Sequence, residues 1–214
     1  MAYTFPLTDS EFLHKLPIER ITFDLPEADE VSETGGGELL TADLGTRLWQ
    51  GEISLSKMTP DEAAVALALI DVVRGRGGSF YCYDISHPTP RSDPIPAKFS
   101  ATGAKLAAVH ANMREVQISG LPAGYLLQHY DHIAFVYGGT RHALHRIVST
   151  ASASGAGQTG WLEVVPPVRP GFVLNATVWL RRPSCKAIIL PGSVQPGRRS
   201  HTMTEGAAFK WRQT

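Results

Sequence analysis

One stretch of this chain, residues 59–75, demands a long helix, and nearly everything around it reads as short strands, turns and prolines. Thr59 suits an N-cap, Pro60 the first helical position, and Glu62 completes a capping box three residues on. Asp61 and Glu62 also complement the positive end of the helix dipole. The interior from Ala63 to Ile70 is helix-forming and apolar on nearly every side. Val65, Leu69 and Val72 share one face, flanked by Ala66 and Val73; alanines elsewhere allow another surface to approach closely. Gly75, after Arg74, is placed to end the helix as C′.

The flanking segments alternate with a period of two. In residues 48–55, Trp49, Gly51, Ile53 and Leu55 face one way while Gln50, Glu52 and Ser54 face the other. Phe80 and Cys82 alternate with Tyr81 and Tyr83 just after the helix. Further strands are expected at 20–25, 115–119, 133–137, 142–149, 160–165, 174–180, 187–190 and 207–212, with a hairpin-like turn at Gly138 and Gly139. The acidic, glycine-rich residues 27–37 read as a flexible loop, 152–160 as a small-residue loop, and 101–109 as a short helix weakened by Gly103. The fold class is therefore mainly β (α+β): a β-sandwich or barrel with one packed helix at about 59–75, followed by a second β-rich, barrel-like region. Four prolines at 88, 90, 94 and 96 mark a stiff connection. They divide the chain into a β-rich region 1–95 with the helix and a β-barrel or sandwich region 96–214; the alternative is that the two form one unit.

Charge excludes some partners. Lysines and arginines equal aspartates and glutamates at 20 each, so no broad basic face for nucleic acid is indicated. The local basic cluster, Arg198, Arg199 and His201, reads as a solvated turn. Charged residues are only 19% of the chain, as in proteins that bury surface in an assembly. The N-terminus lacks the basic and apolar regions of a signal peptide, and no apolar run is long enough to span a bilayer, so cytoplasmic synthesis without membrane insertion is expected.

No motif for chemistry stands out, and no catalytic residue, cofactor or metal is expected. His129, Asp131 and His132 form the densest cluster of ionisable side chains; a strand brings i and i+2 to one face, so His129 and Asp131 could converge. His142 and His145 are three apart and point to opposite faces, and no histidine spacing matches a zinc site. Cys82 and His87 offer a nucleophile and base, but the cysteine lies in an apolar strand that raises its pKa. Cys82 and Cys185 are read as buried free thiols. Gly-x-Ser-x-Gly is absent, and the glycines at 35–37 and 75–78 lack the context of a phosphate loop. Trp49, Trp161, Trp179, Phe209 and Trp211 are read as core anchors, with docking on a partner subunit as the alternative.

The run Leu48-Trp49-Gln50-Gly51, the capped helix, and Gly77-Gly78-Ser79-Phe80-Tyr81 together resemble the minor tail proteins of long-tailed, siphovirus-like bacteriophages. So do Leu144-His145-Arg146-Ile147-Val148, the segment Glu163 to Arg169, and the terminal Gly206 to Gln213. Size and layout are most similar to a distal tail protein. That resemblance implies a structural virion protein at the tail tip or baseplate, forming a ring of copies of itself, a hexamer in the common case. It would join the tail tube protein to hub or other tail-tip proteins and would not be an enzyme. The competing readings are a small β-barrel hydrolase or lyase using His129, Asp131 and His132, and a carbohydrate-binding β module using Trp161.

Overall fold

The computed structural model describes residues 3–43, 45–94, 103–138 and 141–214. Its elements, in chain order, begin with a short 3-10 turn (Leu13–Lys15) and β1 (Ile18–Ile21), β2 (Asp29–Glu33), β3 (Leu39–Asp43) and β4 (Gln50–Leu55). Helix α1 (Pro60–Val73) and β5 (Phe80–Tyr83) follow. Next come β6 (Lys105–Val109), β7 (Glu115–Ser119), β8 (Leu126–Leu127), β9 (His132–Tyr137), β10 (Arg141–Ile147), β11 (Ala151–Ser152), β12 (Leu162–Val165) and β13 (Val178–Trp179). The chain closes with β14 (Ser184–Ile189), β15 (Gln195–Arg199) and β16 (Thr204–Gln213). The protein is mainly β with one α-helix among the described residues, and its large sheets curl into barrel-like, nearly closed surfaces.

The first sheet runs β1-β4-β16-β14-β5, with β15 added on β16. The expected boundary near residue 95 falls between β5 and β6, yet hydrogen bonding crosses it, because β14, β15 and β16 return to pair with β5 and β4. The long β16 explains how: its first half holds β15, its second half holds β14, and β4 lies along its other side. The second sheet, β13-β9-β10-β12-β7-β6, is thus inserted between β5 and β14. Its two ends meet: Val178 N–H donates to Ala104 O at 2.9 Å, and Leu106 N–H to Ala176 O at 3.0 Å. Such closure removes the open edge that would otherwise template further pairing.

Each unit has its own core. In the first, Trp49, Ile53, Phe80, Phe209 and Trp211 are wholly buried beneath α1. In the second, Leu106, Val116, Ile118, Phe135, Leu162 and Val178 fill the barrel. The units are joined along β9 and β10, whose Ala134 and Leu144 belong to the first core. There the Trp49 indole N–H donates to Leu144 O at 2.8 Å.

Helix α1 carries the expected capping box: Thr59 Oγ1 accepts from Glu62 N–H, and Glu62 Oε2 accepts from Thr59 N–H at 2.9 Å. Its buried face takes Leu69 from the Val65–Leu69–Val72 row, with both flanking residues. Ala63, Ala66, Leu67, Leu69, Ile70 and Val73 pack inward, whereas Val65 is 59% exposed. An interior apolar all round gives periodicity little to choose between faces, and the small alanines are what fit against the sheet. Gly75 follows the Arg74 C-cap as expected, but the left-handed residue is Gly77.

Other expectations are corrected. Residues 27–37 are not a loop throughout: β2 and β3 form a hairpin, turned at Thr34–Gly37 with Gly37 at φ +83°. Residues 105–109 are a strand, because Leu106 must enter the barrel and the backbone pairs with β7; Ala101 and Thr102 lie outside the described residues. The expected strand 174–180 shrinks to β13. Arg198 and Arg199 lie on β15, not in a turn, since β16 supplies a partner that their composition does not reveal. Pro96 and Gly139 also lie outside the described residues.

Candidate functional site at the seam of the two units

The three residues nominated for chemistry do not converge. His129 Nδ1 donates to Val148 O at 2.7 Å. Asp131 accepts N–H groups from Gln128 and Arg91 at 2.8 and 2.9 Å, tying the turn before β9 to the segment after β5. Burial raises its carboxyl pKa, and those two donors partly offset the rise. His132 points elsewhere: its Nε2 accepts from Arg146 Nε at 3.3 Å, and its Nδ1 is buried with no partner among the described residues. Burial, with Arg146 nearby, lowers His132 to about 4. No group of three or more His, Cys, Asp or Glu among the described residues is arranged to hold a metal ion.

His132 belongs instead to an aromatic and cationic junction. The Arg146 guanidinium lies 4.8 Å from the Trp49 ring centre and 4.1 Å from that of Tyr130. Tyr130 is held at φ +73°, a left-handed conformation that costs a non-glycine residue energy. At the outer end, His87 Nδ1 bonds Asp84 Oδ2 at 3.1 Å. Burial opposes ionisation of Asp84, but hydrogen bonds from Ser86 and His87 outweigh it and hold the carboxyl below its ordinary value. Asp84, Ser86 and His87 thus form a self-contained turn, and the pairing of His87 with Cys82 does not arise. Cys82 sits opposite Cys185 across β5 and β14; both are wholly buried free thiols, and burial pushes both pKa values up.

A second group lines an actual cavity of about 320 Å³. Here β5, β10, β13 and β14 converge with the N-terminal segment. The His142 ring is stacked between Tyr81, at 4.2 Å and 16°, and Trp179, at 4.5 Å and 26°. This three-ring column spans the seam, because Tyr81 comes from the first unit and the other two from the second. His142 Nδ1 meets Ser184 Oγ at 3.2 Å, which invites comparison with a serine and its base. Burial lowers His142 to about 4, so it has little capacity to take a serine proton near neutral pH. No carboxylate hydrogen-bonds it among the described residues.

The mouth of this cavity is cationic. Arg182 bonds Asp9 Oδ2 at 3.1 Å and lies 5.9 Å from the Tyr83 ring centre. Its backbone is left-handed at φ +48°, and its N–H donates to Pro88 O at 2.6 Å. Arg181 also lines the cavity and has no ion pair among the described residues. The Arg-Arg pair after Trp179 and Leu180 is visible in the sequence, but its meeting with Tyr81 and His142 is not: the chain separations are too great for local pattern to reveal. Trp161, read as a core anchor and as the glycan candidate, belongs to neither core: it is 43% exposed, at the edge of β12, and stands edge-on to His110 at 5.1 Å.

The fold and seam define a mainly β protein of two joined units whose shared surface is ordered by aromatic, histidine and arginine side chains. No protein-family model and no curated protein matches this chain.

Proposed function

We propose that this protein is a structural subunit of a bacteriophage tail tip, assembling into a ring between the tail tube and the tip proteins. The observation that carries the reading furthest is the β2–β3 hairpin. It is a sheet of its own, every residue of β2 is exposed, and Val31, Leu39 and Leu40 are 58%, 69% and 56% exposed. A lone two-stranded hairpin is marginal in water, and apolar side chains along it favour a covering partner. Residues 27–43 also hold six carboxylates and no lysine or arginine, leaving an excess of six positive charges on the rest of the chain. A second copy therefore offers the arm a surface of opposite sign. The resemblance in the strand-helix-strand segment and at the C-terminus supplies the tail assignment. The closed second barrel and the dense seam suit a load-bearing part.

Labelling with an antibody against this protein, read by electron microscopy of particles, tests the assignment. Label at the junction of tail tube and tip is expected. Particles that lack the protein, or carry it only on the capsid, reject the reading.

A further inference from the structure

We propose that the seam cavity is a binding site for one acidic sugar residue, its carboxylate on Arg181 and its ring against the Tyr81–His142–Trp179 column. The inference is independent of the ring assembly proposed above, since it rests on a cavity formed within one chain.

Three observations carry it. The cavity, at about 320 Å³, lies at the small end of ligand pockets and at the meeting of two units, where such sites concentrate. It has room for a single ring with its substituents and not for a long chain. Its wall is aromatic: Tyr81 and Trp179 cover the two faces of His142, and the outer faces of those two rings are left as surfaces of the kind that accept the C–H face of a sugar ring. Its charge is also specific. Asp9 neutralises Arg182, so among the described residues Arg181 is left as the one cation of the lining without an ion pair. A single positive charge matches a single carboxylate, whereas a phosphate ester brings more charge than the site balances. An arginine fork also fits a carboxylate in a bidentate way. Asp9 and Ser184 at the lining provide hydroxyl-binding groups of the kind a sugar requires.

Saturation-transfer and amide-shift NMR on the intact protein test the proposal, with glucuronate as probe and methyl glucoside, acetate and sulfate as comparisons. Glucuronate is expected to saturate in the millimolar range, and each comparison to bind at least tenfold more weakly. Arg181→Gln, on an exposed side chain that leaves the fold intact, is expected to weaken glucuronate at least tenfold without changing the melting temperature. Arg198→Gln, on β15, is expected to leave binding unchanged. Trp179→Leu should abolish the ring contact; if that variant fails to fold, Arg181→Gln still decides. The proposal is overturned by absence of saturation up to about 10 mM. Equal binding of sulfate or acetate, which reduces the site to an anion contact, also overturns it, as does equal binding of methyl glucoside or an unaltered affinity in Arg181→Gln.

Discussion

At the scale of single residues, the buried histidines set how the protein responds to acid. His145 is wholly enclosed, its ring stacked on Phe135 at 5.1 Å, its Nδ1–H donating to Pro166 O at 2.7 Å. The carbonyl only accepts, so the neutral Nδ1–H tautomer is present and Nε2 stays unprotonated and without a partner among the described residues. Burial lowers its pKa from 6.5 to about 4, and His132 and His142 are lowered to about 4 by the same cause. The unfolded chain therefore binds protons that the folded chain refuses. Stability is full above pH 6.5 and falls as the pH drops from there toward 4. For His145 alone the loss is on the order of 3 kcal/mol once both states are protonated. Urea midpoints are expected to decline steadily between about pH 6.5 and pH 4. In His145→Phe, which keeps a ring against Phe135, the decline should be shallower. A midpoint flat across that window removes this account. Sequence spacing correctly sends His142 and His145 to opposite faces of β10. It gives no hint that one ends inside a barrel and the other inside a seam, because both destinations are set by residues distant in the chain.

At the scale of elements, α1 was legible because a capping box is local: Thr59, Pro60 and Glu62 fix one another within a single turn. Strand β4 was legible for a similar reason, since Trp49, Ile53 and Leu55 fall on the buried side in strict alternation. Gly51 shares that side, and the structure gives the reason for its lack of a side chain. A Cβ at Gly51 would lie 1.8 Å from Thr22 O, where the chain beyond β1 runs on beside β4. Gly51→Ala must therefore push the neighbouring chain away or break its pairing with β4. A loss of at least about 2 kcal/mol in denaturant unfolding is expected, the upper part of the range for overpacking. Gly155→Ala is the matched comparison, because its added Cβ meets nothing within 4 Å. Equal stability of the two variants contradicts the steric account. The elements that were misread share one property: their conformation depends on a partner strand. Residues 105–109 and the Arg198–Arg199 segment carry weak local preference, and pairing with β7 and β16 decides them.

At the scale of the whole molecule, what stays open is as informative as what closes. The second barrel seals itself through residues 104–106 and 176–178, and β16 locks the C-terminus into the first sheet between β4 and β14. The β2–β3 arm remains outside both, acidic and partly apolar, on a chain whose other charges sum to an opposite excess. If the arm seats on a neighbouring copy, assembly is both hydrophobic and electrostatic, and the two contributions separate by salt. Raising the ionic strength from roughly 0.1 M to roughly 1 M shortens the screening length from ~10 Å to ~3 Å. That change weakens the charge pairing and leaves apolar burial nearly untouched. Analytical ultracentrifugation is expected to find a closed oligomer of a single size at low salt, with a raised dissociation constant at high salt. Replacing residues 29–43 with a short Gly-Ser tether is expected to yield a monomer that retains the native melting behaviour, because no core side chain is lost. Leu39→Asp and Leu40→Asp together should act like the deletion at either salt concentration. A protein that remains strictly monomeric up to high concentration, both alone and mixed with tail tube protein, removes the arm as an assembly element. An oligomer indifferent to loss of the arm moves the interface to another face of the molecule.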